Sequence, residues 1–239
     1  AEFVVEQKVE EKPVVETVVE TRKVVQSAPQ KKVVTVVSQV LVNRSDPAFK
    51  NPTKPIGQFY SEKEAKKLAE EKHWTVKEDA GRGWRMVVAS PQPVRIVEFD
   101  AVKDLIDAGY IVVNTGGGGI PVCENSDGRL QGVDAVIDKD FAAELLAEEL
   151  GADALVILTE VEKVAINWGK PDQANLDTMT LAEAKQYCAE GHFAPGSMLP
   201  KVQAAVGFVE SGSGRSALIT LLEKAAEGIA GKTGTLVSR

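Results

Sequence analysis

A chain of 239 residues, 44% apolar and 26% charged, can bury a sizeable core as one large domain or two small ones. Its net charge of -7 argues against a general nucleic-acid binder, which needs a basic face, but leaves room for a small anionic substrate held by a local lysine cluster. Cys123, Cys188, His73 and His192 fit no metal spacing and no disulfide framework. No apolar run approaches the roughly 18 residues of a membrane helix, and the acidic start lacks a basic-then-apolar leader pattern. The expectation is a cytoplasmic protein with neither a membrane nor a nucleic-acid partner.

Residues 1–31 differ from the rest. Valine doublets alternate with Glu, Lys and Thr, glycine is absent, and neither helical nor strand periodicity wins, so a low-complexity tail or edge element is expected. Lys32 to Val42 (KVVTVVSQVLV) is a near-continuous β-branched run and predicts one strand buried on both faces. The proline-rich Asn43 to Tyr60 follows as a loop. Ser61 with Glu64 forms a capping box and opens a helix to about Lys72. Trp74 to Glu78 and Gly83 to Ala89 alternate like the strands of a hairpin. Residues 46–92 therefore read as a small protruding subdomain.

Val94 to Val97 returns to the main body, and Asp100 to Ala108 reads as a helix closed by Gly109. A strand then runs into four glycines, Gly116, Gly117, Gly118 and Gly119. Asp138-Lys139-Asp140 sits at the mouth of the next helix, which feeds a strand ending at Leu158. A polar segment, Thr159 to Asp177, precedes a helix capped by Thr180 with Glu183. Another helix starts near Pro200, and a short strand (Ala217 to Thr220) and a final helix (Leu221 to Ile229) close the order. Strands alternating with helices predict an α/β fold with a mainly parallel central sheet, whose ligands gather at the strands' carboxyl ends.

The glycine run fails the dinucleotide pattern G-x-G-x-x-G, because Pro121 or Val122 stands in the sixth position. Gly191 and Gly196 are spaced for a P-loop, but Ser197 replaces its lysine. Glycines at a strand end serve about as often as a flexible turn as an anion cradle. Lys139 and Lys201 both stand at helix starts, where the macrodipole disfavours a cation, and Lys54 lies in the proline-stiffened loop. One such lysine reads as a solvated side chain. Two of them at helix starts in a phosphate-compatible fold point to phosphoryl transfer, with Asp140 as the carboxylate that positions them.

Five stretches, NPTKPIG (51–57), GRGWR (81–85), GGGGIPV (116–122), AVIDKDFAAELLAEELGAD (135–153) and GHFAPGSMLPK (191–201), together resemble carbamate kinase. The resemblance runs from about Lys32 to the C-terminus and implies a carbamate-kinase-like domain over residues 32–239 with the amino-acid-kinase fold. That fold is a three-layer αβα sandwich, here N-terminally truncated, with residues 126–239 as its nucleotide-binding half. It further implies reversible phosphoryl transfer between ATP and carbamate, magnesium with the ATP or ADP, carbamate or carbamoyl phosphate as the other substrate, and a homodimer where the fold is complete. By the same resemblance Lys139 and Lys201 hold the nucleotide phosphates, Asp140 orients both, and Glu160 and Met198 lie beside the nucleotide. Lys54 and the glycine turn face the carbamoyl phosphate.

Glu160 and Glu162 stand where the family commonly has aspartates. Full-length members also carry, upstream of the strand at Val33, two glycine-rich turns that hold the transferred phosphoryl and the carbamate. Residues 1–31 contain no glycine. The sequence therefore sets two expectations side by side, a working kinase and a nucleotide-binding remnant with weak turnover.

Overall fold

The computed structural model describes residues 31–79 and 81–239, so the expectation for the N-terminal segment up to Gln30 lies outside the described residues. The long valine run forms two short strands, β1 (Val33–Thr35) and β2 (Gln39–Val42), where a single strand was expected. The proline-rich stretch ends earlier than expected and gives way to β3 (Lys54–Tyr60). Ser61 accepts the Glu64 N–H, and the Glu64 carboxylate reaches back to the Ser61 N–H, so α1 (Glu62–Lys72) starts with both halves of its capping box. β4 (Val76–Glu78) and β5 (Trp84–Val88) form the expected hairpin, and β6 (Pro93–Ile96) precedes α2 (Phe99–Asp107).

β7 (Ile111–Val113) leads into a 3-10 turn at Gly116–Gly118, followed by β8 (Ile120–Glu124) and β9 (Leu130–Gly132). Asp138 caps α3 (Lys139–Glu149), which feeds β10 (Ala154–Thr159). The polar segment contains a small hairpin, β11 (Ala165–Ile166) with β12 (Ala174–Asn175), and then β13 (Thr178–Thr180). Thr180 and Glu183 complete a second capping box at α4 (Leu181–Ala189). The chain ends with α5 (Met198–Glu210), β14 (Ser216–Leu221), α6 (Ala225–Ile229) and β15 (Thr235–Ser238).

Parallel pairings join β1 to β7, β2 to β8, β10 to β14 and β13 to β15, as crossover connections through helices require. Antiparallel β6 borders β2, and β15 lies between β14 and β13, antiparallel to the first and parallel to the second. The fold is thus α/β with mainly parallel pairing: β2–β8 is parallel at the centre of one four-stranded sheet, while β14–β15 at the centre of the other is antiparallel. The valine run breaks at Val36–Ser38 because its two halves take different neighbours, β7 for the first and β8 for the second. The expected burial on both faces does not hold there either: Val33 is 64% and Val37 73% exposed. Strands β3, β5 and β4 form a separate antiparallel sheet beside this body, with α1 packed on it.

Two apolar clusters hold the body together. One gathers Val40, Val42, Ile96, Cys123, Ile137 and Ala142, and the other gathers residues of β10, β14, β15, α4 and α5 around Phe208 and Ile219. Helix α3 stands between them. Its Ala142, Leu145 and Leu146 face the first cluster, while Phe141 and Ala147 face the second. Ala142 is fully buried and the other four are partly buried, so α3 is held by apolar contact on both sides. The Asp-Lys-Asp turn at its start is thereby placed at the junction of the two cores.

Candidate active site

The glycine turn is held against the Asp-Lys-Asp turn by close backbone packing. A Cβ on Gly118 would lie 2.1 Å from the Ile137 carbonyl oxygen, and one on Gly119 would lie 2.5 Å from a Val40 methyl. Gly118 also has a φ of +100°, so glycine serves there for both space and conformation. Two of the four glycine amides are spent within the turn: Gly118 N–H donates to the Thr115 carbonyl (2.8 Å) and Gly119 N–H to that of Gly116 (3.5 Å).

One residue past Ile137, Asp138 uses both carboxylate oxygens. Its Oδ1 accepts the Asp140 N–H at 3.0 Å and caps α3, while Oδ2 takes Lys54 Nζ at 2.6 Å. Burial alone would raise the Asp138 carboxyl, but the Lys54 bond, the Asp140 N–H and the charges of Lys54 and Lys139 together hold it below its ordinary value. Sequence reasoning missed this pair. Its members lie 84 positions apart, and the one local sign was a favourable N-cap residue.

Asp140 reaches from α3 to α5 and takes Lys201 Nζ on both oxygens, at 3.2 and 2.9 Å. Both side chains are nearly closed to solvent, at 9% and 11% exposure. A lysine ammonium buried this deeply needs such a partner. Lys139, expected to share Asp140, is exposed, and both Asp140 oxygens are occupied by Lys201. Consecutive helical residues do not face one another, which accounts for the separation.

Beyond the first turn of α5 lies a cleft of ≈ 530 Å3, a size that suits a small-molecule ligand. Glu160 and Met198, both expected near the nucleotide, line it. So do Asn167 and Trp168 from the tip of the β11–β12 hairpin, and His192 and Phe193 from the approach to α5. Trp168 was not foreseen, because the hairpin that presents it lies inside a stretch that reads as merely polar. Lys201 follows Met198 by three positions on α5 and so continues the same helix face. The N-cap residue Ser197 makes no side-chain capping bond, so the N–H groups of that first turn are not capped by it.

Glu162 points elsewhere. It accepts from Thr233 and from Lys224 (3.0 Å), and these bonds, Thr233 first, hold its carboxyl below the ordinary value. Among the described residues, no group of three His, Cys, Asp or Glu side chains could hold a metal ion, and no helix is long and apolar enough to cross a membrane. Cys123 is buried in the core and Cys188 half-buried, both as free thiols.

Comparison with known proteins adds to this geometry. The family model described as "Amino acid kinase family" matches residues 3–220, beginning earlier than the resemblance at Lys32. The chain is similar to a carbamate kinase of Clostridium perfringens, 57% identical over 208 residues, which are 87% of this chain and 66% of that protein. A carbamate kinase of Thermococcus kodakarensis is 56% identical over 210 residues, 88% of this chain and 66% of the relative. Among solved structures, a Giardia lamblia carbamate kinase bound to AMP-PNP aligns with a TM-score of 0.78 and 45% identity, over 93% of this chain and 70% of that one. The chain thus spans 66% of the length of these curated relatives.

Proposed function

The chain belongs to the amino acid kinase family, in its carbamate kinase branch, and on that premise we propose that it moves a phosphoryl group between carbamoyl phosphate and ADP. The observation that carries the reading is the buried Lys201–Asp140 pair, one helical turn from a cleft of nucleotide size. In this reading the base and sugar occupy the cleft beside Trp168, Glu160 and Met198, and the phosphates extend toward Lys201. Asp140 fixes Lys201 through both carboxylate oxygens, so the lysine is in place before the phosphoryl moves and needs no reorganisation during transfer.

The bond broken joins phosphorus to the carbamate oxygen, and the bond formed joins it to an oxygen of the ADP β-phosphate. Little covalent work falls to the protein. Positioning and neutralisation of the equatorial oxygens supply most of the rate. Lys139, exposed at the start of α3, is assigned to the phosphates from the side opposite Lys201. Lys54 and the glycine turn Gly116–Gly119 are assigned to the carbamoyl phosphate. Magnesium would enter on the nucleotide's own oxygens, since Asp140 is engaged by Lys201 and, among the described residues, no group of three His, Cys, Asp or Glu side chains could hold a metal ion.

The reading includes ATP formation as the working direction, at the end of an arginine-consuming route, by a cytoplasmic homodimer. Light scattering of the purified chain checks the dimer. Calorimetry with ADP and magnesium, followed by a coupled assay for ATP from ADP and carbamoyl phosphate, checks the rest. Binding without ATP formation would leave a nucleotide-binding unit in place of a kinase.

A further inference from the structure

The three-stranded sheet β3–β5–β4 meets the body at the Asp-Lys-Asp turn in two places. Ala89, just past β5, bridges to Ala135, and the Val136 N–H donates to the Ala89 carbonyl at 3.0 Å. Two residues further on, Asp138 holds Lys54, the first residue of β3. Because the other oxygen of the same carboxylate caps α3, one side chain ties the protruding sheet to the helix that carries Lys139 and Asp140.

The two partners differ in access. The Asp138 side chain is 9% exposed, whereas that of Lys54 is 25% exposed and can be reached by a small anion from solvent. If Lys54 left, Asp138 would keep the Asp140 N–H and the neighbouring charge of Lys139, so the exchange would strand no bare carboxylate. A phosphate carries more negative charge than a carboxylate and competes well for a lysine.

We propose that Asp138 is a positioning residue that holds Lys54 in the unliganded site and yields it to a phosphate-bearing substrate, coupling the seating of the three-stranded sheet to anion binding. This rests on the reading that Lys54 faces the carbamoyl phosphate. It adds a second carboxylate to the site, with a role distinct from that of Asp140.

The test uses Asp138→Asn, which keeps an N-cap acceptor and removes the charge. Asp138→Ser, which also caps, guards against a folding defect peculiar to the amide. The first readout is pulsed amine acylation followed by mass spectrometry, scoring Lys54 against exposed Lys63 in the full chain. Loss of a partly exposed ion pair should raise the Lys54 to Lys63 ratio about fivefold in both variants, with the melting midpoint close to wild type. The second is calorimetry with inorganic phosphate, which should bind several-fold more tightly to Asp138→Asn because its competitor for Lys54 is gone. An unchanged labelling ratio, or phosphate binding that is equal or weaker, overturns the proposal. Failure of the kinase reading would look different, as wild type making no ATP while the labelling ratio still responds to Asp138.

Discussion

Alanine placed in turn at Gly116, Gly117 and Gly118 separates the three things a glycine can supply. Gly116 has an ordinary φ and open space around its Cβ position, so Gly116→Ala should be neutral or stabilising by up to about 1 kcal/mol through the unfolded chain. Gly117 has a φ of +73° but open space, so its replacement costs only the left-handed strain, roughly 1–2 kcal/mol. Gly118 combines a φ of +100° with a Cβ position 2.1 Å from the Ile137 carbonyl oxygen. Strain and overpacking together make its cost about 2–5 kcal/mol. The obstacle is backbone, which cannot swing aside as a side-chain tip would, so Ile137 and with it Asp138 must shift. Urea unfolding of the full chain measures all three, provided the slope is unchanged. Gly118→Ala unfolding at the same midpoint as Gly116→Ala would refute the packing described for this turn.

Other perturbations read other parts of the structure. Lys201→Ala strands a carboxylate that is 9% exposed and should cost about 3–5 kcal/mol, with much of the loss recovered when Asp140→Ala is added; strictly additive losses would deny the pair. Burial, then the charge of neighbouring Glu148, raises the Glu144 carboxyl from 4.5 to about 7, against a smaller opposing pull from Arg215. The folded state then binds that proton more tightly than the unfolded state, so wild-type stability falls as pH rises from about 4.5 to about 7. Glu144→Gln should remove roughly 1–2 kcal/mol of that slope, after discounting for partial exposure, and parallel pH–stability curves would contradict it. Ser61→Ala and Thr180→Ala should each cost about 1 kcal/mol in the same urea assay, as the loss of an N-cap does. ADP should change the fluorescence of Trp168, which is 62% exposed in the cleft, and Trp168→Phe should abolish the change.

Features set by neighbours in sequence are legible in the sequence itself. Both capping boxes and the start of α3 depend on residues a few positions apart, where propensity and hydrogen bonding decide. The motifs that resemble carbamate kinase are also local strings. Partner choice was not legible. The valine run is split by two different sheet neighbours, and nothing within the run announces them. Pairing across the fold was equally hidden. Asp138 with Lys54 and Glu162 with Thr233 and Lys224 join residues that only the tertiary structure brings together. The expectation that Asp140 serves both lysines failed in part for the same reason, since Lys201 lies within reach across the α3–α5 contact while Lys139 turns to solvent on the next helical position.

The most direct measurement is ATP formation by the full chain from ADP, magnesium and carbamoyl phosphate, run beside Lys201→Ala. The wild-type chain should form ATP and the variant should lose at least about a hundredfold, the scale of removing one preorganised charge at a transferring phosphoryl. ATP formation that survives Lys201→Ala, or ADP binding with no ATP formed by wild type, would contradict it.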